Sequence, residues 1–263
     1  MEPFVNIAVR AARKAGDVMI RYMNRIHQLE ITAKARNDFA SEVDRMAEAE
    51  VIETIRRTHP DHAFLGEESG QSGDSEYLWI IDPLDGTTNY LHGFPVFCVS
   101  IALQIEGRLH HAVVYDPMRQ ELFTASRGSG AQLDGRKIRV SNRRGLEGSL
   151  IGTGFPYRAN VRYMDDYISM FRKVSEQAAG IRRAGSAALD LAYVAAGRLD
   201  GFWEFGLAPW DTAAGELLIR EAGGLITDLD GEDTHRESGN VLAGSPKVFT
   251  ALLAEIRPHL PGD

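Results

Sequence analysis

The apolar residues near the start of the chain repeat at helical spacing. In the stretch 3–27 they lie three or four residues apart, at Phe4, Ile7, Ala8, Ala11, Ala15, Val18, Met19, Tyr22 and Ile26. This spacing predicts a helix with one buried face. Ser41 stands three residues before Asp44, a spacing typical of a helix N-terminus. It predicts a second helix that ends at about His59, before Pro60.

The rest of the chain changes from a β pattern to an alternating one. Short apolar runs at 63–66 and 77–81 predict buried strands on either side of a loop at 69–75, and 96–140 reads as mostly β. From residue 150 onward the pattern predicts strands at 150–153, 202–205, 225–228 and 241–243, and helices at 161–177, 186–198, 212–222 and 246–256. The sequence therefore predicts an α+β protein. Its N-terminal half (1–144, paired helices on a largely antiparallel sheet) and its C-terminal half (145–263) should pack as one unit.

Composition narrows the class of protein. The 263 residues are 44% hydrophobic and 25% charged, which is ordinary for a globular protein. A formal net charge of −8 argues against a polyanion binder, and the basic segment 136–144 is interpreted as a solvated strand end. Cys98 is the single cysteine, so no intramolecular disulfide can form. Since neither a signal peptide nor an apolar run of membrane-spanning length is evident, we expect a cytoplasmic protein that does not contact a membrane.

Acidic residues stand where predicted strands end or helices begin. They are Glu67, the pair Asp82 and Asp85, and Asp211. Each has an ordinary structural explanation: Glu67 as a solvated strand end, Asp85 as a turn residue and Asp211 as a helix cap. Taken one at a time, these explanations are favoured over a functional one.

The segment IIDPLDGTTN at 80–89 differs from the other three Leu-Asp-Gly sequences, at 133–135, 199–201 and 229–231, which are predicted turns. A second aspartate lies across Pro83, which stiffens the link between the two carboxylates. Such a turn can direct Asp82, Asp85 and the Leu84 carbonyl at one point, and oxygen ligands suit Mg²⁺. Backbone N–H groups that follow, from Gly86 on, suit a phosphate. The spacing permits a metal and phosphate site without establishing one.

Three motifs together resemble those of one family. GEES at 66–69, DPLDGTT at 82–88 and WDTAAGELLIREAGG at 210–224 resemble, in order and spacing, the signature blocks of the inositol monophosphatase family. The resemblance covers nearly the whole chain. It implies a layered αβαβα sandwich of the type shared with fructose-1,6-bisphosphatase. It also implies Mg²⁺-dependent, Li⁺-sensitive hydrolysis of a phosphate monoester, with myo-inositol 1-phosphate as the expected substrate.

The same resemblance implies which residues bind metal. A first Mg²⁺ would be held by Glu67, Asp82 and the Leu84 carbonyl. A second would be held by Asp82, Asp85 and Asp211, with Asp82 bridging the two ions. The resemblance also allows a third, weaker ion near Glu67.

Catalytic and substrate-binding roles follow from the resemblance as well. Thr87 would orient the attacking water with Asp44 as its partner, and Glu67 and Asp82 would share in catalysis through the metals. The phosphate and the polyol would contact Gly86, Thr87, Gly185, Ser186, Ala187, Glu204 and Asp211. Lys34 falls in the segment that resembles a mobile loop of the family, and its role is left open.

The resemblance leaves an alternative function. The bacterial branch of the family that the chain most resembles is also linked to the transcription machinery. A regulatory protein that contacts RNA polymerase or an elongation factor is therefore the second hypothesis. Within the phosphatase hypothesis, histidinol phosphate and nucleotide phosphates are the other candidate substrates. A homodimer is the expected assembly.

Overall fold

Five layers of helices and sheets stack in the order αβαβα. The computed structural model describes residues 2–23, 25, 31–35, 38–156 and 158–260. Within them, a helix pair, an eight-stranded sheet, a second helix pair, a five-stranded sheet and a third helix pair follow one another. The α+β layered sandwich that the sequence predicts is confirmed.

The first helix pair and the first sheet come from the N-terminal part of the chain. The helices are α1 (Pro3–Met23) and α2 (Glu42–Arg56), with a hairpin of β1 (Ile31–Ala35) and β2 (Asp38–Ser41) between them. The sheet strands are β3 (Ala63–Gly66), β4 (Gly70–Ser72), β5 (Tyr77–Asp85), β6 (Cys98–Ile105), β7 (Arg108–Asp116), β8 (Glu121–Ser126), β9 (Gly130–Leu133) and β10 (Arg136–Lys137). Their order is β10-β9-β8-β7-β6-β5-β3-β4, and β3 and β5 form the parallel pair. A short helix, α3 (Thr87–Leu91), connects β5 to β6.

The C-terminal part supplies the remaining layers. Its strands are β11 (Leu150–Thr153), β12 (Gly180–Arg182), β13 (Gly201–Glu204), β14 (Leu225–Thr227) and β15 (Val241–Gly244), in the order β12-β11-β13-β15-β14. Its helices are α4 (Met164–Ser175), α5 (Ala187–Ala195), α6 (Pro209–Glu221), α7 (His235–Ser238) and α8 (Pro246–Ile256). Short 3₁₀ turns lie at Arg158–Tyr163 and Arg257–His259.

α5 is apolar on nearly every face, and both central helices, α5 and α6, are buried between the two sheets. Buried side chains from both helices pack in one cluster with side chains of β6, β7 and β8 on one side and of β13 and β15 on the other. A helix that is apolar on every face is stable only when it is buried in this way. Their first turns lie close together, because α5 donates a hydrogen bond to Asp85, and an oxygen of Asp85 lies within 4.8 Å of one of Asp211 in α6. None of the described helices combines the length and the apolar character needed to cross a bilayer.

The predicted elements agree with the structure where a side-chain pattern determines them. Ser41 caps α2, since its side chain accepts from the Val43 N–H and Asp44 reaches back to the Ser41 N–H. The structure describes α1 only as far as Met23, so the predicted last turn to residue 27 lies outside the described residues. The prediction of a loop over the whole of 69–75 is wrong, because 70–72 pair with β3 as β4. Three further strands, β1, β2 and β12, were not predicted. The division into halves at 144 stays a prediction.

A buried cluster of charges fixes the far end of α6. The Glu216 carboxylate is 2% exposed and accepts hydrogen bonds from His235 Nε2 at 3.0 Å, Arg220 Nε at 2.9 Å and the Arg236 guanidinium at 2.6 and 2.7 Å. Burial alone would raise the pKa of Glu216, but the bonds from His235 and Arg236 outweigh it and lower that pKa to about 2. The charge on Glu216 therefore stabilises the fold.

We expect Glu216→Gln to lower the free energy of unfolding at pH 7 by about 3 kcal/mol, the scale on which removing one partner destabilises a buried pair. The folded-state pKa, about 2, lies below the ordinary value of 4.5. The contribution is therefore complete above pH 4.5 and is lost as the pH falls toward 2. Denaturant unfolding at a series of pH values measures it.

Glu176→Gln is the matched control, since Glu176 pairs with Lys173 on the surface, where the two side chains are 52% and 45% exposed. It should change the stability by less than about 0.5 kcal/mol. Equal losses in the two variants would contradict the assignment of Glu216.

Candidate metal and phosphate site

A bulge in β5 brings its two aspartates to the same side. Asp82 lies opposite Ser100 and Asp85 opposite Cys98, so three residue steps on β5 match two on β6. Pro83 lies inside this step and has no N–H to donate to the ladder. In a regular strand, residues three apart point to opposite faces. The extra residue of the bulge removes that offset and allows both carboxylates to face one site.

Asp82, Asp85 and Asp211 form a cluster of carboxylates. One oxygen from each lies within 4.8 Å of the other two. Asp211 comes from the first turn of α6, where its Oδ2 accepts a hydrogen bond from the Ala208 N–H at 2.7 Å. Ala208, and not Asp211, is therefore the N-cap residue of α6; Asp211 is the third helical residue and reaches back to the Ala208 N–H, and it lies in the cluster as well.

The first turn of α5 holds Asp85 in position. Asp85 Oδ2 accepts a hydrogen bond from Ser186 Oγ at 2.6 Å and another from the Ala188 N–H at 2.7 Å. The Cys98 thiol lies behind it, with Sγ 3.9 Å from the same oxygen. The Ser186 hydroxyl is thus bound to a carboxylate of the cluster, whereas the family resemblance assigns Ser186 to the substrate.

The cluster carries negative charge without a basic partner. Burial, and then the charges of Glu67, Asp85 and Asp211, raise the pKa of Asp82 well above its ordinary range. Burial, followed by the charge of Asp85, raises the pKa of Asp211 to about 7. In the part of the chain that the structure describes, neither Lys nor Arg forms an ion pair with any of the three aspartates. Closely spaced oxygen ligands with unbalanced charge fit a divalent cation.

Glu67 lies at the edge of this cluster, just after β3. Its backbone N–H donates to the Ile81 carbonyl at 3.2 Å, which fixes the turn beside the end of β5. Its carboxylate is close enough for its charge to raise the pKa of Asp82. The structure therefore brings Glu67 together with the three aspartates, as expected.

Glu48 of α2 supports the turn that carries Glu67. It is 3% exposed, and its carboxylate accepts the Glu68 N–H at 2.9 Å and the Ser69 N–H at 2.8 Å. The sequence motifs do not include Glu48. Its position could have indicated its role, because Glu48 lies one helical turn after Asp44 on the buried face of α2, where an unpaired carboxylate would be unfavourable.

Thr87 and Asp44 are in contact, as predicted for a catalytic pair. Thr87 Oγ1 lies 2.8 Å from Asp44 Oδ1 and 3.1 Å from the Leu84 carbonyl oxygen. Asp44 is fully buried, and its Oδ2 accepts bonds from the Ser41 N–H at 2.8 Å and the Ser41 hydroxyl at 2.6 Å. The side chain of Asp44 is thus held in one orientation by the helix start.

Gly86 makes the turn between β5 and α3. Its φ of 98° lies in the left-handed region, and a Cβ there would come within 2.9 Å of the Val96 carbonyl oxygen. Asn89 of α3 ties this turn to the segment before α5, since its Nδ2 donates to the Ala184 carbonyl at 2.8 Å. The segment before α5 includes Gly185, so the predicted phosphate and substrate residues are neighbours in space.

A small cavity of about 60 Å³ opens beside the cluster. Its lining contains the expected residues of the substrate side together with others that the motifs do not indicate: Asp85, Thr153, Gly154, Arg183, Gly185, Ser186, Ala187, Asp190, Glu204, Leu207 and Asp211. The cavity therefore lies between the first turns of α5 and α6 and the ends of β11 and β13.

Glu204 is buried at the end of β13 and faces this cavity across Gly154. A Cβ at Gly154 would come within 1.9 Å of Glu204 Oε1, so a larger residue there would displace the Glu204 carboxylate. Burial, and then the negative charge of Asp190, raise the pKa of Glu204 well above its ordinary range, while the charge of Arg183 opposes the shift. Asp190, one turn into α5, was not predicted from the sequence. An acidic residue within an Ala- and Leu-rich helix is unusual, and this feature of the sequence could have indicated Asp190.

One expected site residue cannot be placed. Lys34 lies in β1, but its side chain is outside the described residues.

Comparison with known proteins gives consistent results. The sequence profile of the inositol monophosphatase family matches residues 1–261. Nus factor SuhB of Pseudomonas aeruginosa is 56% identical over 99% of this chain and 98% of its own length.

Solved structures agree with these sequence matches. The extragenic suppressor protein suhB of Bartonella henselae has a TM-score of 0.96 and 44% identity, over 98% of this chain and 100% of that chain. An inositol monophosphatase from Anabaena has a TM-score of 0.87 and 42% identity, over 98% and 96% of the two chains. The three motifs, the layered fold and these matches together show that the chain belongs to the inositol monophosphatase family.

Proposed function

We propose that this protein is a Mg²⁺-dependent phosphatase that hydrolyses the phosphate monoester of a polyol, with myo-inositol 1-phosphate as the leading candidate. The observation that carries the proposal is the uncompensated cluster of Asp82, Asp85 and Asp211 beside a cavity lined by Glu204. The cluster supplies ligands for hard cations, and the cavity supplies acceptors for hydroxyl groups. The reaction consumes water and a monoester and yields the alcohol and inorganic phosphate.

Five groups on the chain would hold the metal. Glu67, Asp82 and the Leu84 carbonyl would bind one Mg²⁺, and Asp82, Asp85 and Asp211 a second. When bound, such ions neutralise charge on the phosphate and lower the pKa of coordinated water. A third ion near Glu67 is part of the same proposal.

The chain itself would orient water and phosphate. Asp44 accepts the hydrogen of the Thr87 hydroxyl, so the Thr87 oxygen can accept a hydrogen bond from the attacking water. The N–H groups of Gly86 and Thr87 donate to no acceptor within the described part of the chain, as expected at the start of a helix. They can therefore donate to phosphate oxygens.

The polyol would bind on the side of Glu204. A carboxyl group there can accept or donate hydrogen bonds to sugar-like hydroxyls, and Gly185 and Ala187 line the same cavity. Asp190 lies next to Glu204, so the two acids would share the negative charge of the pocket. Because both are acidic, they would repel the phosphate and thereby favour binding of the polyol end on their side.

Asp82→Asn should reduce phosphatase activity by at least about a hundredfold, since even partners outside the metal ligands typically cost ten- to a hundredfold. In chelator, the variant should melt no lower than the wild type, because removing one like charge from a buried cluster relieves repulsion. Mg²⁺ should then raise the melting temperature of the wild type more than that of the variant.

Asp230→Asn serves as the control, since it alters an exposed Leu-Asp-Gly aspartate. It should behave like the wild type in both assays. Wild-type turnover by a folded Asp82→Asn protein would disprove the proposed site.

Glu204→Gln should lower kcat/KM for inositol 1-phosphate by roughly ten- to a hundredfold, the scale of one or two hydrogen bonds to a charged group. Hydrolysis of a simple aryl phosphate, which lacks the hydroxyls, should change by less than about threefold. The informative measurement is the ratio of the two losses. If both substrates lose activity equally, Glu204 supports the metals or the fold instead of the polyol.

The name of the Pseudomonas relative favours a second candidate function, a contact with the transcription machinery. The two chains are 56% identical over 99% of this chain, so they are similar along their whole length. Such a role would use the surface and would not require turnover.

Tagged wild-type protein and tagged Asp82→Asn should therefore retain RNA polymerase or its elongation factors from a lysate equally well. The absence of these proteins in both pull-downs, beside an untagged control, would remove the second candidate.

A further inference from the structure

A second cavity, open and mostly polar, lies away from the carboxylate cluster. It has a volume of about 1000 Å³. We call it the arginine groove, because four of its lining residues are Arg139, Arg143, Arg144 and Arg198. The segment from Ser141 to Gly148, which connects the two sheets, forms much of its wall.

The arginine groove lies at the opposite end of the elements that form the catalytic cavity. β11 begins at Leu150 in the groove lining and ends at Thr153 in the cavity lining. α5 begins beside Asp85, and its C-terminal end leads directly into Ala196 and Gly197 of the groove. Leu150 and Thr153 are three strand steps apart, or about 10 Å, so the groove and the carboxylate cluster are separate sites.

Two of the four arginines have no acidic partner. Arg198 pairs with Glu121, and Arg143 Nε lies 3.8 Å from Asp200 Oδ1. Arg139, in contrast, donates only to main-chain carbonyl oxygens, at 3.3 Å. Arg144 has no hydrogen bond or ion pair within the described part of the chain. Unpaired guanidinium groups are therefore available in a groove of a protein whose net charge is −8.

The acids near the groove are largely engaged elsewhere. Asp200 is buried and accepts the Leu150 N–H at 2.7 Å through Oδ2. Glu221, whose carbonyl contacts Arg139, directs its carboxylate to the Gly128 and Gly130 N–H groups at 2.7 Å. In the lining itself, four arginines face two acids, Asp200 and Glu147. The groove is thus built with an excess of positive charge.

We propose that the arginine groove binds a compact anion that carries two or more phosphate groups. The planar guanidinium group matches phosphate oxygens with paired hydrogen bonds. Four guanidinium groups in a groove of about 1000 Å³ offer more donors and more room than one phosphate group can use, whereas linked phosphates can engage several of them.

A single-stranded nucleic acid is the less favoured ligand. Proteins that bind such strands stack the bases on aromatic side chains as well as binding the backbone. None of the residues that line the groove is aromatic. The groove offers charge and backbone polar groups without a surface for bases.

Calorimetric titration with inorganic tripolyphosphate tests the proposal. The titration is done in chelator, so that the acidic cluster, without metal, repels the probe. Arg139→Gln/Arg144→Gln should weaken binding at least about tenfold, since each charge-assisted bond is worth about that factor. Arg144→Gln alone should weaken it by a smaller but measurable factor. The single variant removes no contact of the fold, because Arg144 makes none in the described chain.

Arg136→Gln/Lys137→Gln is the matched control, since it removes the same charge from exposed positions of β10 beside the groove. It should change the affinity by less than about threefold. Equal weakening by the two double variants would mean diffuse charge attraction and would overturn the proposal. So would tight binding of a single-stranded oligonucleotide with no binding of tripolyphosphate, because the ligand would then be a nucleic acid.

Discussion

Mutual repulsion among buried carboxylates is the constraint on which the site depends. Two unit charges 4 Å apart repel by about 4 kcal/mol at an effective dielectric constant of 20, a large share of the 5–15 kcal/mol that stabilises a typical protein. The chain holds Asp82, Asp85 and Asp211 together against this repulsion with a β-bulge, a helix cap and the hydrogen bonds of Ser186. The energy stored in the arrangement is what a bound cation would release.

The central helix layer holds these carboxylates in position. α5 and α6 lie between the two sheets, and their buried side chains pack in one cluster with both. The first turn of α5 anchors Asp85 and that of α6 carries Asp211. At its far end, α6 is fixed by the charges around Glu216, where opposite signs meet and the carboxylate stays ionised. In the second half of α6, the charges around Glu216 therefore balance one another. In its first turn, Asp211 belongs to a cluster that has no basic partner.

The sequence predicted correctly those elements whose structure is determined by the pattern of their own side chains. The amphipathic α1 and the Ser41 cap belong to this class, whereas the grouping of Asp82 and Asp85 with Asp211 was implied by the family resemblance. β4 and the β1–β2 hairpin escaped prediction because they are short and depend on backbone pairing with partners that no local pattern specifies. Glu48 and Asp190 escaped because a single acid in a helix becomes informative only when its burial is known. The bond of Ser186 to Asp85 joins residues 101 positions apart, beyond the reach of any spacing argument.

Ser41 shows how two requirements can meet at one position. As a helix cap, serine is exchangeable with aspartate or asparagine at little cost. Here its hydroxyl and N–H both donate to the Asp44 carboxylate that contacts Thr87. An aspartate would satisfy the helix yet place a second negative charge against Asp44. The range of residues tolerated at this position is therefore narrower than its secondary structure alone would suggest, because the contact between Asp44 and Thr87 depends on it as well.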